Sequence, residues 1–575
     1  MNVSGKTHSV LEMIQTCAAS YPERPAIGVT DGKQYSFTSY GELWRLVESI
    51  AAGLTGRGIK AGDRVGLLLN DRAAWGVFYL AILRAGAVAV PLDDLQKPHE
   101  WASVLIESGA AAIFVSSGYS DVLTEECGGI PALANWMVVD TDNLSALPFH
   151  IPADLTGDQP ASWPAITGEM IAALVFTSGT TSAPKGVILT HRNLAADVQA
   201  IHRLQVFDPN DRFLSVLPIH HTFECTAGFL NPLCQGSSIA YARSLKSREI
   251  IEDLKSSRAT VMLGVPLLFE KISQAIKRGV TKQPPVRRRL FNFLFVLAQF
   301  GKKRLNADLG RPLFYSLRRK AGLDSLRLVV SGGAALPPEV GKFMDTLGLP
   351  ILQGYGLTET SPVLSVNPRR GYKYDSIGPP LPGVRMKIVN PDAAGVGEIA
   401  ARGEMITPGY YNRPEETAKL FADGWLLTGD LGWKDNDDHF HITGRAKNVI
   451  VTAAGKNVYP EEIEMVLAES PLILEALIFG QVRPGETRER IACAVVPDTE
   501  YITAEMGHLP REQVERLLIS EVQRICGGLA DYKKPTEIIV RGTEFVKTST
   551  KKIKRFLFAR TKEELFPIDP DAETD

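Results

Sequence analysis

Short continuous apolar runs alternate, early in the chain, with longer segments in which apolar residues recur every three or four positions. The first pattern is typical of buried strands and the second of helices that cover a sheet. Ser39 and Glu42 have the spacing of a capping box, which predicts that a helix begins there. Strands are predicted at 64–70 and 87–90, with a helix at 73–84 between them. This alternation predicts an α/β fold with parallel, helix-covered sheets.

The pattern changes twice towards the end of the chain. Strands alternating with helices continue in the middle of the chain, at 213–218, 260–266 and 326–330. Between 376 and 443, short strands and turns dominate and predict a small β-barrel-like subdomain. A new α+β pattern then begins. We therefore predict a large N-terminal domain (1–445) of two mostly parallel sheets plus the subdomain, and a small, mobile α+β C-terminal domain (446–575).

Composition indicates an ordinary globular protein, with 45% hydrophobic and 22% charged residues in 575. The six cysteines have no paired or CxxC spacing. Cys225 and Cys234 lie near His220 and His221, but the irregular spacing and apolar surroundings favour buried thiols over a metal site. Buried, unpaired thiols indicate a reducing compartment, so we expect a cytoplasmic protein. We see no secretory signal and no run long enough to span a bilayer.

Charge is concentrated in one segment. Residues 277–320 contain 13 Lys or Arg and one acid, Asp308, so they carry +12 while the rest of the chain carries −14. An apolar stretch, 290–300, lies between the basic clusters. The segment is either a peripheral contact with anionic lipid or a buried helix with solvated basic ends. It contains no motif that reads bases, so a nucleic-acid partner is not expected.

A polar loop between two apolar runs is the first candidate site. The runs are 171–176 and 187–189, and the loop between them ends in Pro-Lys-Gly. Backbone N–H groups, hydroxyls and one ammonium suit the binding of a polyphosphate, although a solvated hairpin turn has the same composition. It is not a Walker A loop, because no Gly directly precedes the lysine and no Ser or Thr follows it. The candidate residues are Thr177, Ser178, Gly179, Thr180, Thr181 and Lys185.

Two glycine-rich segments follow predicted strands. In the first, Gly332, Gly333 and Ala334 would let a flat ligand lie against bare backbone. The second combines glycine, an aromatic ring, a hydroxyl and a carboxylate, a set that suits a base, a phosphate and Mg²⁺. Its residues are Gly354, Tyr355, Gly356, Thr358 and Glu359. Either segment alone is also compatible with a turn, in the second case with Thr358 as a helix N-cap.

Taken in order, these segments resemble the adenylate-forming superfamily of acyl-CoA synthetases, non-ribosomal peptide adenylation domains and luciferases. The resemblance covers essentially the whole chain. Within the superfamily, 217–224 and 264–272 are most similar to long-chain fatty acyl-CoA ligases. A single motif of this kind is a modest signal, but six in the same order are a specific one.

The resemblance implies roles for the candidate residues. The loop 177–186 would hold the β- and γ-phosphates of ATP, with 332–334 on the adenine side. Gly354 and Gly356 flank Tyr355, which would lie against adenine. Thr358 would contact the α-phosphate and Glu359 would bind Mg²⁺.

The resemblance also assigns residues nearer the C-terminus. Asp430 matches the ribose-binding Asp, Arg445 the nucleotide-supporting Arg and Lys447 the hinge. Gly455 and Lys456 belong to a loop that would reach the active site for the reaction with coenzyme A. The catalytic lysine of the family would be Lys552, although Lys551 stands where the family has Gly and Ser182 where Gly is common. His221 would lie beside the acyl carboxylate, whereas a histidine after a strand can also be a satisfied core residue.

The expected reaction is therefore ATP-dependent activation of a carboxylic acid, expected to be a long-chain fatty acid, to acyl-AMP and then to acyl-CoA. Alternatives within the class are a medium-chain or aryl acid–CoA ligase and a ligase that loads acyl carrier protein. An alternative of another class is an inactive nucleotide- or acyl-binding protein. ATP, Mg²⁺ and coenzyme A are the expected cofactors and co-substrates.

Overall fold

The computed structural model describes residues 9–127, 136–139, 153–158, 160, 162–177, 184–305, 307–369, 371–452, 456–481, 489–547 and 553–558. The strands in these residues are β1 (Pro25–Thr30), β2 (Tyr35–Ser39), β3 (Arg64–Leu68), β4 (Val88–Pro91), β5 (Ala112–Ser116), β6 (Trp136–Val139), β7 (Ile171–Thr177), β8 (Lys185–Thr190), β9 (Arg212–Ser215), β10 (Ser238–Tyr241), β11 (Val261–Gly264), β12 (Leu328–Ser331), β13 (Ile351–Gly356), β14 (Val363–Val366), β15 (Arg385–Val389), β16 (Gly397–Arg402), β17 (Phe421–Ala422), β18 (Trp425–Lys434), β19 (Phe440–Arg445), β20 (Ile450–Val451), β21 (Asn457–Val458), β22 (Ile473–Gln481), β23 (Arg490–Pro497) and β24 (Glu537–Val540).

The helices are α1 (Val10–Ser20), α2 (Tyr40–Gly56), α3 (Arg72–Arg84), α4 (Pro98–Ser108), α5 (Ser117–Cys127), α6 (His191–Arg203), α7 (Asn231–Gln235), α8 (Ser247–Ser257), α9 (Pro266–Thr281), α10 (Pro285–Leu305), α11 (Gly310–Leu313), α12 (Tyr315–Lys320), α13 (Pro338–Thr346), α14 (Pro414–Leu420), α15 (Pro460–Leu467), α16 (Thr499–Met506) and α17 (Arg511–Cys526). In addition, Phe223–Leu230 form a π-helix.

The chain divides into two compact units. The first consists of Met1–Met386 and Ala401–Leu426, and the second of Lys387–Ala400 and Leu427–Asp575. The domain boundary expected between residues 445 and 446 lies inside the second unit and stays a prediction.

The first unit contains two mostly parallel sheets, as predicted. The larger has the strand order β14-β13-β12-β11-β9-β10-β1-β2, with antiparallel strands at its two edges. The other has the order β6-β5-β3-β4-β7-β8, and only β8 in it is antiparallel. The predicted strand at 213–218 is shorter than expected. It ends at Ser215, and Pro218, which has no N–H to donate to a sheet, follows.

Helices α2 and α3 carry much of the core of this unit. The predicted capping box is present: Ser39 accepts from the N–H of Glu42, whose carboxylate accepts from the Ser39 N–H at 2.8 Å. Helix α3 is apolar on every side and is buried on every side, with Trp75, Phe78 and Tyr79 at most 1% exposed. This explains why its sequence lacks the one-sided pattern of a surface helix.

The second unit contains a three-stranded sheet in the order β22-β23-β24. Helices α15 and α17 pack on it, and Ile463, Leu467, Leu518 and Val522 contribute to their shared core. The predicted small β subdomain is a five-stranded sheet in the order β15-β16-β18-β17, with β19 paired to β18. The chain passes from one unit to the other within β15, β16 and β18.

Glu224 is a carboxylate buried in the first unit. It lies in the π-helix and is 1% exposed. A Cβ atom at Gly228 would lie 2.7 Å from its carboxyl group, so the glycine leaves the space that the carboxyl occupies. Burial raises the pKa of Glu224 to about 7, because the charged form loses its hydration.

This buried carboxyl should make stability depend on pH. Between about pH 4.5 and pH 7 the folded state binds more protons than the unfolded state, so the free energy of unfolding should fall as pH rises, by about 3 kcal/mol. Glu224→Gln cannot ionise. We expect this variant to gain stability over the wild type on going from about pH 5 to about pH 8, as measured by urea unfolding.

Glu12→Gln, at an exposed position of α1, is the matched control and should leave the pH profile unchanged. An identical profile for Glu224→Gln and the wild type would contradict the assignment.

Candidate functional site

Four neighbouring strands of the larger sheet end at the same edge. Strands β9, β11, β12 and β13 are adjacent and parallel. Because the carboxyl ends of parallel strands lie at one edge of a sheet, the segments that follow them are neighbours. These segments are 216–222, 265, 332–337 and 357–362. The sheet thus brings His221 and both predicted glycine-rich segments to one edge.

The segment after β12 offers open backbone. The N–H of Gly332 donates to the carbonyl of Gly264 at 3.2 Å, which joins the ends of β12 and β11. A Cβ at Gly332 would lie 2.8 Å from the ring of Phe223. Gly333 has φ of +81° and is exposed, as is Ala334. The main chain is therefore open at Gly333 and Ala334, whereas Gly332 is buried beside the Phe223 ring. The expectation that a flat ligand lies against this segment stays a prediction.

The segment after β13 is a tight turn. The N–H of Leu357 donates to the carbonyl of Pro362 at 3.0 Å, and Thr358–Thr360 form a 3-10 turn. Thr358 is inside this turn, and Leu357 precedes it as the cap, so the interpretation of Thr358 as the N-cap of a helix is wrong. The turn leaves Thr358 and Glu359 partly exposed beside the end of β13.

Gly356 and Gly354 give a matched pair of tests within this segment. A Cβ at Gly356 would lie 1.6 Å from the carbonyl oxygen of Pro362, whereas at Gly354 the nearest atom would be 3.9 Å away. We expect Gly356→Ala to lower the free energy of unfolding by about 1–3 kcal/mol, because the turn must open. Gly354→Ala should change it little. Urea unfolding of the two variants measures this, and equal stability of the two would refute the packing described.

The predicted phosphate loop is anchored by an antiparallel hairpin. Thr177 of β7 pairs with Lys185 of β8, so the two ends of the loop are held side by side. Ser178, Gly179, Thr180 and Thr181 lie outside the described residues.

Tyr410 links this hairpin to Glu359. The N–H of Tyr411 donates to the carbonyl of Gly186 at 2.8 Å, and Tyr410 forms a β-bridge with Val187. From there the Tyr410 hydroxyl donates to Oε1 of Glu359 at 2.7 Å. The Lys185 Nζ lies 5.6 Å from the centre of the Tyr410 ring.

One phenol therefore orients the predicted Mg²⁺ ligand and contacts the predicted phosphate-binding lysine. Burial, followed by the Glu359 charge, raises the pKa of Tyr410, so the phenol stays a donor. No local pattern in the sequence marks Tyr410, because its partner Glu359 is 51 positions away.

Removal of the Tyr410 hydroxyl should slow the expected release of pyrophosphate. In Tyr410→Phe the Glu359 carboxylate loses a hydrogen bond, a change of about 1.5–3 kcal/mol for a charged acceptor, and we expect pyrophosphate release to slow by about tenfold or more. The Mg²⁺ concentration for half-maximal rate should rise as well, because the carboxylate is less well oriented. A titration of the initial rate with Mg²⁺ measures both effects.

Tyr411→Phe removes a hydroxyl at the next position and is the matched control. Equal rates for the two variants would show that the hydroxyl of Tyr410 does not position Glu359.

His220 and His221 form a cluster with Asp93. The imidazole Nε2 of His220 is 3.3 Å from Oδ1 of Asp93, and the two histidine rings are 4.4 Å apart. One ligand atom from each residue lies within 4.8 Å of the others, so the geometry would accommodate a metal ion. Two imidazoles suit zinc-like ions more than Mg²⁺, whereas Glu359 offers the hard oxygen that Mg²⁺ prefers. Among the described cysteines, Cys225 and Cys234 are buried free thiols, as predicted.

The second unit holds a separate group of predicted residues. Asp430 of β18 is opposite Arg445 of β19, and the Arg445 Nε donates to Oδ1 of Asp430 at 2.7 Å. The hydroxyl of Thr428 accepts from the Asp430 N–H at 3.2 Å and donates to the carbonyl of Ile399 at 2.7 Å. Asp430 is thus a firmly held carboxylate, which could accept hydrogen bonds from a diol.

Lys447 follows in a 3-10 turn of residues Ala446–Asn448 and is exposed. Lys456 is exposed as well, and its N–H donates to the hydroxyl of Thr452 at 3.2 Å. Gly455, Lys551 and Lys552 lie outside the described residues, so their predicted roles stay predictions.

A model of the family described as AMP-binding enzyme matches residues 14–411. The chain belongs to this family. The resemblance to adenylate-forming acyl-CoA synthetases is confirmed.

Similar proteins of known name indicate which group of AMP-binding enzymes the chain resembles. The chain is 31% identical over 462 residues to long-chain-fatty-acid–CoA ligase FadD15 of Mycobacterium bovis, covering 76% of this chain and 74% of the relative. It is 30% identical to long chain acyl-CoA synthetase 7 of Arabidopsis thaliana, and the match covers 80% of this chain and 70% of the relative. It is 28% identical to the long-chain-fatty-acid–CoA ligase of Salmonella typhimurium, and that match covers 95% of this chain and 93% of the relative. Within the AMP-binding enzymes, the chain is therefore an AMP-forming acid–CoA ligase, most similar to the long-chain group.

Solved structures share the fold. ATP-bound MatB from Rhodopseudomonas palustris superimposes with a TM-score of 0.75 at 24% identity, covering 95% of this chain and 97% of the other. O-succinylbenzoate coenzyme A synthetase from Bacillus subtilis, in complex with ATP and magnesium ion, superimposes with a TM-score of 0.73 at 22% identity. The match covers 94% of this chain and 98% of the other. The predicted α/β architecture is confirmed.

Proposed function

We propose that this AMP-binding enzyme activates a long-chain fatty acid with ATP and transfers the acyl group to coenzyme A. The observation that carries the proposal is the convergence of Lys185, Tyr410 and Glu359 beside the strand ends that hold the glycine-rich segments. It joins a cation, a hydrogen-bond donor and a carboxylate at one place, as phosphoryl chemistry requires. The names of the relatives support the long-chain acid.

In the first half-reaction an oxygen of the fatty carboxylate attacks the α-phosphorus of ATP. The bond from that phosphorus to the bridging oxygen breaks, and pyrophosphate leaves. Both reactants are anions, so positive charge and hydrogen-bond donors must already be in place. The loop 177–186, including Lys185, would hold the leaving pyrophosphate, and Thr358 would donate to the α-phosphate.

Glu359 would hold Mg²⁺, oriented by Tyr410. When bound, Mg²⁺ neutralises part of the phosphate charge. Asp430 would accept hydrogen bonds from the ribose hydroxyls, while Arg445 keeps that carboxylate in place. Lys552 would act as an electrostatic clamp on the developing charge rather than as a base, since an ordinary lysine is already protonated near pH 7.

In the second half-reaction the thiol of coenzyme A attacks the acyl carbonyl, and AMP leaves with its electron pair. The product is a thioester. We propose that residues 446–575 rotate about Lys447 between the two steps. This rotation would move Lys552 away from the active site and bring Gly455 and Lys456 beside the entering thiol. His221, at the end of the segment after β9, would contact the acyl carboxylate.

We also propose that the protein works in the cytoplasm and makes peripheral contact with a membrane through residues 277–320. Its expected partners are small molecules, namely the acid, ATP and coenzyme A. A hydrophobic substrate that partitions into lipid would favour an enzyme at a lipid surface.

A panel of acids tests the proposed reaction. Pyrophosphate release and thioester formation are measured with long-chain, medium-chain and aryl acids, each with and without coenzyme A. We expect the highest kcat/KM with long-chain acids, and thioester only when coenzyme A is present. Release without thioester would favour a carrier-protein acceptor, and no release with any acid would favour an inactive binding protein.

Two adjacent lysines supply the control for the clamp. Lys552→Ala should slow acyl-adenylate formation by at least about a hundredfold, because a preorganised charge is lost from the transition state. Lys551→Ala should slow it by much less. If Lys551→Ala has the larger effect, the ammonium at 551 is the clamp.

A further inference from the structure

Helix α10 has an inner face that anchors it to the first unit. Phe291 lies against Phe314 with ring centres 5.3 Å apart, and Phe295 lies against Phe343 at 5.6 Å. Ala298, three residues on, is 2% exposed. These positions recur every three or four residues, so one side of the helix is seated in the protein. The alternative of a buried helix applies to this side alone.

The outer face of α10 is also apolar. At 100° per residue, its exposed apolar side chains fall within a sector of about 120°. They are Val286, Leu290, Phe293, Val296, Leu297 and Phe300, and their exposed fractions are 77%, 55%, 66%, 64%, 37% and 55%. We call this row the outer stripe. A contiguous row of large exposed apolar side chains marks an interaction surface.

Basic residues close the outer stripe at both ends. Arg289 and Arg304 lie in the same angular sector and are exposed, about 22 Å apart along the helix. Arg287, Arg288 and Lys303 extend the two clusters and are exposed too. Not every cation of the segment faces solvent. Arg318 is buried and donates to the carbonyls of Leu347 and Arg311, each at 2.7 Å, while Lys302 pairs with Asp345.

We propose that the outer stripe lies flat on an anionic phospholipid bilayer, with its apolar side chains below the headgroups and Arg289 and Arg304 on lipid phosphates. An apolar row flanked by cations is the pattern of a helix that binds in the plane of a charged interface. Among the described residues, no helix has the length and apolar character to cross the bilayer. The inference rests on the membrane contact proposed above and is independent of the ligase reaction.

The charge of α10 favours an anionic lipid surface over a second copy of the chain as the partner of the outer stripe. Two outer stripes placed face to face would bring the basic clusters of one helix onto those of the other, in parallel and antiparallel arrangements alike. Residues 285–305 contain no Asp or Glu that could offset this repulsion. A lipid surface supplies negative charge at both ends of the stripe and an apolar medium beneath its centre.

Co-sedimentation of the full chain with vesicles tests the proposal. Vesicles of phosphatidylcholine alone are compared with vesicles containing about 30 mol% phosphatidylglycerol. We expect the wild type to bind the anionic vesicles at least about tenfold better. The double variant Phe293→Ser/Phe300→Ser and the double variant Arg289→Glu/Arg304→Glu should each weaken that binding by at least about tenfold.

The control variants make the same kinds of change, apolar to Ser and basic to Glu, at exposed positions outside α10. Ile106→Ser, at a position 63% exposed on α4, and Lys33→Glu/Lys60→Glu, at exposed lysines, should bind like the wild type. Circular dichroism and the thermal midpoint establish that each variant is folded. Equal binding to neutral and anionic vesicles, no binding by the wild type, or binding unaffected by the stripe variants would each overturn the proposal. Loss of pyrophosphate release with vesicle binding intact would bear on the ligase reaction alone.

Discussion

Parallel pairing of β9, β11, β12 and β13 determines where the candidate site forms. The ladder aligns Gly264 with Ser331 and Ser331 with Gln353, so β11 and β12 end at one level and β13 continues three residues beyond them. A slip of one residue in any strand would move its buried side chains to the opposite face, and the apolar residues on both faces oppose this. The glycine-rich segments reach the same edge because the strands that carry them are fixed by burial. In this sense the chemistry depends on the hydrogen-bond register of four short buried strands.

The contact of Tyr410 with Glu359 adds a second constraint. The Glu359 carbonyl also accepts from the N–H of Thr407 at 2.8 Å, so main chain and side chain both tie the turn to the 407–411 segment. That segment is in turn joined to β8, which begins at Lys185. A cation and an anion are thus held near each other without pairing directly. Such an arrangement keeps both available to a charged ligand.

Local signals in the sequence predicted much of this fold. The capping box at Ser39 and Glu42 predicted the start of α2, and the strand–helix alternation predicted two mostly parallel sheets. Both depend on neighbours a few residues apart, which is why sequence reasoning finds them. The glycine-rich segments were found for the same reason, since a strand that runs into glycines is a local pattern.

Residues that act through distant partners were not predicted. Tyr410 contacts Glu359, which is 51 positions away in the sequence. Asp93 follows β4 of the six-stranded sheet and lies beside His220, which follows β9 of the larger sheet. Neither Tyr410 nor Asp93 is part of a sequence motif. Helix α10 shows a related difficulty. Its apolar residues surround the axis, and only the positions of Phe314 and Phe343 decide which of them are covered. The roles of Ser178, Gly179, Thr180, Thr181, Gly455 and Lys552 remain predictions.

The second unit is assembled from two separate stretches of chain, 387–400 and 427–575. A fragment cut at the expected boundary, 446–575, would leave behind both Asp430 and Arg445, together with Ile399, whose carbonyl accepts from Thr428. A cut at 446 keeps all of these residues on one piece, whereas a junction placed between 400 and 427 would separate Ile399 from Thr428. A chimera that exchanges the C-terminal piece at residue 446 therefore leaves both contacts intact.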